Sequence, residues 1–164
     1  MQKVVLDKLF LLQSELDAQI ALNHGISYET TKNKRVMALL VELGEFANET
    51  RCFKFWSFKG PSPKEVILDE YADGLHFLLS LGIILGYKHF EYSYEFKKKD
   101  LTEHLLDTYS LCSRLHKEFT KENYETALIS YINILGILKY SAEDLESSYL
   151  KKLNVNHSRQ ENNY

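Results

Sequence analysis

Apolar residues along this chain recur at helical rather than alternating intervals. Val5, Leu9, Leu12, Leu16 and Ile20 fall on one stripe, which predicts a first helix from about Lys3 to Asn23. Gly25, in NHGIS, is suited to end it in a left-handed turn. A second helix is predicted from Tyr28 to about Arg51. SPKE then reads as a start signal, with Ser62 as cap, Pro63 at the first helical position and Glu65 completing a capping box. The third helix it opens runs to about Leu85 and stops at Gly86. Further helices are predicted from Leu101 to Phe119, from Asn123 to Lys139 and from Ser141 to about Lys152. The connection YKHFEYSYEFKKKD has no strong periodicity, and LNVNHSRQENNY has the polarity of an unstructured end. No segment alternates like a half-buried strand. The expectation is an all-α bundle of about six helices in a single domain, residues 1–164, with 153–164 a flexible C-terminal tail.

The second helix carries an anomaly. At about 100° per residue, Val36, Met37, Leu39, Leu40, Val41, Leu43, Phe46 and Ala47 sweep more than half of its circumference, and Glu42, Glu45 and Glu49 crowd into the remainder. An arc that wide belongs to a helix buried on most sides. The third helix repeats the device: Asp69, Glu70 and Asp73 cluster on a side that also holds Val66, Phe77 and Ile84. Packed antiparallel, the two helices converge four carboxylates, Glu42 and Glu45 with Glu70 and Asp73. Four uncompensated anions are very unfavourable in a low-dielectric interior. A hard divalent cation such as Mg²⁺ relieves them and can bridge to phosphate. Single carboxylate pairs of this spacing are also common on solvated faces, and Glu49 and Asp69 lie near the same strips, so spacing leaves open which acids are ligands.

Composition narrows the possibilities. The formal net charge is -3, which gives no nucleic-acid footprint. The longest apolar run, LHFLLSLGIILGY, is too short to span a bilayer. The N-terminus keeps charges inside its apolar pattern and reads as an amphipathic helix, not a signal peptide. Cys52 and Cys112 lie far apart without metal-ligand spacing, so a zinc site is not expected and both read as small hydrophobes. A reduced, cytoplasmic setting follows as the default, with neither nucleic acid nor membrane as partner.

ELGEFANETRCFKFWS followed by ILDEYADGLHFLLS resembles the metal motif of the all-α nucleoside triphosphate pyrophosphatases, the superfamily of the MazG proteins and the dimeric dUTPases. The tail YLKKLNVNHSRQENNY is similar to the C-terminal motif of the dimeric dUTPases in particular. Tyr149, Lys152, Asn156, Arg159, Gln160 and Tyr164 occupy its positions, whereas Leu153 and Asn163 depart from it. The resemblance implies a homodimeric, Mg²⁺-dependent dUTP diphosphatase that also accepts dUDP. In such an enzyme Glu42, Glu45, Glu70 and Asp73 hold metal, and Glu45 orients or deprotonates the attacking water. Lys152 and Arg159 would bind phosphates from a tail that closes over the substrate.

Trp56 resembles the family's tryptophan near the nucleoside, with core or dimer packing as the alternative. Uracil needs a group that both donates and accepts, for which Gln13 and Asn156 are the candidates. His76, one turn after Asp73, is either a group orienting a metal ligand or a core histidine. Two other functions remain compatible with the sequence: a MazG-like pyrophosphatase of other or broader nucleotide preference, and a non-catalytic helical interaction module.

Overall fold

The computed structural model describes residues 1–164 as six helices and one short ribbon. The helices are α1 (Asp7–His24), α2 (Tyr28–Thr50), α3 (Lys64–Ile84), α4 (Leu101–Arg114), α5 (Lys121–Leu138) and α6 (Ala142–Glu161). The fold is all-α, as the periodicity predicted. No helix is long and apolar enough to cross a membrane.

α3 is the axis of the bundle. Ile67, Tyr71, Leu75, Leu78, Leu79 and Leu81 are all buried, and α1, α2 and α6 pack around them. α2 runs antiparallel to α3, since contacts descend one helix as they ascend the other. The Ser62 amide meets the Glu49 carbonyl at 3.0 Å, and the Arg35 guanidinium meets the Ser80 hydroxyl at 2.5 Å. α4 and α5 form a second layer, joined to the axis by tyrosines. Tyr131 donates to the Tyr71 carbonyl at 2.7 Å and Tyr124 to the Leu78 carbonyl at 2.8 Å. Glycine makes this approach possible: a Cβ at Gly74 would collide with the Tyr131 ring and hydroxyl, and one at Gly82 with Tyr124.

The structure departs from the sequence reading at four places. Gln2–Val5 is a strand (β1), antiparallel to Glu91–Tyr94 (β2), with Val4 opposite Tyr92. Val4 is buried and Val5 exposed, an alternation too short to see beside the helical stripe it abuts. Ser62 does not cap α3. Its hydroxyl donates to the Glu49 carboxylate at the end of α2, and the helix starts behind Pro63 without a side-chain cap. α4 ends at Arg114, and Thr120 caps α5 by accepting from the Asn123 amide at 3.2 Å.

The last departure bears on function. α6 continues to Glu161 through the stretch expected to be an unstructured tail. Leu153 is buried, His157 pairs with Gln19 at 2.7 Å, and Asn23 donates to Gln160 at 3.2 Å. Packing against α1 and α3 thus carries a helix that its own polar sequence does not announce.

Candidate active site

The antiparallel α2–α3 pair brings Glu42, Glu45 and Glu70 together. One carboxylate oxygen from each lies within 4.8 Å of the other two. Glu42 is half-buried and its Oε2 is enclosed without a hydrogen-bond partner. Burial first, then a hydrogen bond with Glu45 and the charges of Asp73, Glu45 and Glu70, push its carboxyl up to about 8. Glu70 is raised for the same reasons, burial leading and Asp73 and Glu45 adding, against the pull of Lys152. An ion-free cluster of this kind relieves itself by taking up protons, and its donor set of carboxylate oxygens suits a hard divalent cation.

Asp73 sits at the edge of this cluster, and its Oδ2 accepts from Lys152 at 2.8 Å. Lys152 also donates to Asp69 at 2.8 Å. Burial opposes the ammonium charge, but these two hydrogen bonds outweigh it and lift the lysine above its ordinary value. Asp73 is nonetheless raised, because its own burial exceeds the help Lys152 supplies. Lys152 therefore occupies a buried place between acids, where the sequence reading expected a lysine on a loose tail. Of the two acids that spacing could not exclude, Glu49 is bonded by Ser62, whereas Asp69 shares Lys152 with Asp73, so this lysine does not separate the two aspartates.

Beside the cluster lies a cavity of about 180 Å³, lined by Glu42 and Asp73 and by further residues of α1, α2, α3 and α6. Gln13, Asn156 and Arg159 all line it, together with Phe77 and Tyr164. The Arg159 guanidinium stacks over the Tyr164 ring at 5.0 Å. Trp56 is not among the lining residues. It stands 63% exposed in the α2–α3 loop, edge-on to Phe53 and Phe55 at 5.9 and 5.0 Å.

Gln13 is in the wall but largely spoken for. Its Oε1 faces His76 Nδ1 at 2.6 Å and the Tyr149 hydroxyl at 3.0 Å, and its Nε2 donates to Asp17 at 2.9 Å. One amide N–H is left for a ligand. His76 is buried and stacked on Tyr149 at 4.2 Å, so it is a core histidine that also borders the cavity. Burial drives its pKa down to about 3, and the nearby Tyr149 carbonyl offsets this only in part, which keeps the ring neutral.

Asp17 and Arg35 are not among the residues that periodicity or the resemblance points to. Both are buried in the cavity wall, 3.4 Å apart, and both bond Ser80. A signal was present in the spacing, since Asp17 follows Gln13 by one helical turn inside an apolar stripe. Cys112 is fully buried, which pushes its thiol up to about 12 and leaves it inert, and Cys52 is free as well.

Residues 5–164 match the protein-family model described as dUTPase. No curated protein matches the chain.

Proposed function

Since the chain belongs to the all-α dUTPase family and is thereby a dUTP diphosphatase, we propose that it hydrolyses dUTP, and dUDP as well, at the Glu42–Glu45–Glu70 cluster with Mg²⁺ as cofactor. The observation that carries the site assignment is the convergence of these three carboxylates beside a cavity lined by Asn156 and Arg159. Glu42, Glu45, Glu70 and Asp73 would hold the metal. When bound, Mg²⁺ would neutralise phosphate charge and lower the pKa of a coordinated water.

The chain's own residues account for the rest. Glu45 is the exposed member of the cluster, free to orient the attacking water and to accept its proton. Glu42 and Glu70 crowd Glu45 with like charge, and the cation they would help to hold is what would let Glu45 stay ionised beside them. Arg159 can grip phosphate oxygens with its planar fork, and Lys152 acts as a point charge. Phosphate competes for the same ammonium that Asp69 and Asp73 now hold, so substrate binding and the docking of α6 are coupled. The C-terminal turns of α6 are the segment that would close over the substrate and exclude water. Asn156, one turn before Arg159 on α6, remains the candidate for reading the uracil amide.

A homodimer belongs to the same proposal. Met37 and Val41 on α2, Leu106 on α4 and Phe55, Trp56 and Phe58 in the loop are exposed apolar residues that one chain leaves uncovered. A role for Trp56 at the base requires that second subunit. Sedimentation velocity that finds only the 19.2 kDa monomer would overturn the dimer.

The activity is tested by turnover of dUTP against dCTP, dTTP and UTP with Mg²⁺. We expect dUTP to be strongly preferred and Glu45→Gln to abolish turnover while circular dichroism stays unchanged. Equal rates on the four nucleotides would remove the uracil specificity, and a fully active Glu45→Gln would remove Glu45 from the mechanism.

A further inference from the structure

The cavity wall holds a chain of buried polar groups that the metal chemistry does not use. Asp17 is surrounded by donors. Its Oδ2 accepts from Tyr28 at 2.9 Å and from Ser80 at 2.6 Å, and its Oδ1 faces the Arg35 guanidinium at 3.4 Å. A carboxylate ringed in this way only accepts. The Gln13 amide must therefore present its Nε2 to Oδ1, at 2.9 Å. Its Oε1 is turned to the opposite side, where the Tyr149 hydroxyl lies at 3.0 Å and His76 Nδ1 at 2.6 Å. An amide oxygen also only accepts, so the His76 proton sits on Nδ1. The neutral ring then carries a lone pair on Nε2. That atom is buried, has no partner in the protein, and belongs to a residue of the cavity wall. Buried polar atoms left unpaired are rare in folded chains, and a donor on a substrate in the adjoining cavity would pair this one.

We infer that Asp17 is a positioning residue: through Gln13 it fixes the proton of His76 on Nδ1, and so presents Nε2 as the acceptor for an N–H or O–H donor on the nucleoside half of the substrate. The final clause rests on the dUTP reading above, whereas the tautomer does not. Deoxyuridine offers two such donors, the base N3–H and the sugar 3′-hydroxyl. Pairing with N3–H would also reject dCTP, whose base has a lone pair at that position and would set two acceptors face to face.

Long-range ¹H–¹⁵N correlation spectra of histidine-labelled protein read the tautomer without substrate. The wild type is expected to show His76 with Nδ1 protonated and Nε2 bare. In Asp17→Asn the new amide can donate as well as accept, so the Gln13 amide is free to turn over and the Nε2–H form should appear. Gln13→Leu leaves Asp17 its Arg35, Ser80 and Tyr28 partners and should shift the tautomer in the same way if Asp17→Asn does not fold. Asp17→Asn should raise KM for dUTP about tenfold, with kcat within about twofold, as loss of one buried hydrogen bond made equally in ground and transition states. With 2′,3′-dideoxy-UTP and 3-methyl-dUTP, the wild type should lose affinity for the analogue that lacks the bonded donor. Asp17→Asn should lose little more on that analogue, because the two deletions remove one interaction. A wild-type His76 protonated on Nε2 overturns the inference, as do variants that keep both tautomer and KM. A protein with the expected tautomers but no turnover of dUTP overturns the dUTP reading instead and leaves the action of Asp17 on His76 standing.

Discussion

Replacing Glu42 by glutamine is expected to stabilise the protein in the absence of divalent cations, and to do so only at alkaline pH. The Glu42 carboxyl is pushed from the ordinary 4.5 to about 8, by burial first and then by Glu45, Asp73 and Glu70. Between those values the folded chain keeps a proton that the unfolded chain has released. The unfolded state thus binds fewer protons, and stability falls as pH rises from about 4.5, levelling off above about 8. At about 1.36 kcal/mol per pH unit the whole shift sets a ceiling of about 5 kcal/mol. Glu42 is only half-buried and titrates together with its neighbours, so roughly 1–2 kcal/mol survives solvent screening. Each kcal/mol moves the Tm of a domain this size by about 2–4 °C. Glu42→Gln should therefore melt roughly 3–6 °C above wild type near pH 8.5 in EDTA, and level with it near pH 5. Saturating Mg²⁺ should raise the wild-type Tm and reverse the order, since the ligand binds the folded state and the variant lacks one of its oxygens. Thermal unfolding by circular dichroism at both pH values, with EDTA and with Mg²⁺, reads all four corners. A variant that melts at or below wild type in EDTA at alkaline pH would show that the acidic cluster carries no repulsion, and the case for a cation there would fail.

Two further outcomes follow from particular contacts. Lys152→Met frees Asp69 and Asp73 from the ammonium that bridges them at 2.8 Å. Because both acids keep some contact with water, the loss should be about 1–2 kcal/mol by urea unfolding, short of the penalty for a fully buried pair. It should shrink when Mg²⁺ saturates the site, and no loss in EDTA would show that the pair does not anchor α6. Gly74→Ala places a Cβ against the Tyr131 ring and hydroxyl, and should destabilise by about 1–3 kcal/mol through overpacking. Its near-ultraviolet circular dichroism should change as Tyr131 is displaced from the Tyr71 carbonyl, and an unchanged spectrum and midpoint would refute the close approach.

The helical stripes were legible because helix burial repeats in the chain itself. Leu9, Leu16 and Leu39, Leu43 keep their spacing whatever they pack against, and the all-α class followed from that. The acidic arcs on α2 and α3 were legible for the same reason, and so was their convergence once the two helices are taken as antiparallel. The residues of the tail motif could be named from their order, but not what they touch. Lys152 looks like a solvated basic residue until α6 is docked and two aspartates of α3 stand beside it. Helix α6 beyond Lys152 is held by contacts to Gln19, Asn23 and α3, which lie far away in sequence, so local propensity had no term for them.

The same limit applies to Ser62, Gln13 and Asp17. A Ser–Pro–Lys–Glu signal states what Ser62 can do at a helix start, and the nearby Glu49 carboxylate decides what it does. Gln13 and His76 are 63 residues apart, and the proton between them is assigned only when Asp17, Arg35, Ser80 and Tyr149 close around the pair. Periodicity and charge, which each residue carries locally, determined the class of fold and the two helices that carry the acidic strips. Which acid is free, which lysine is held and which histidine nitrogen is left unpaired depend on partners brought together from three or four helices, and only the tertiary structure could decide them.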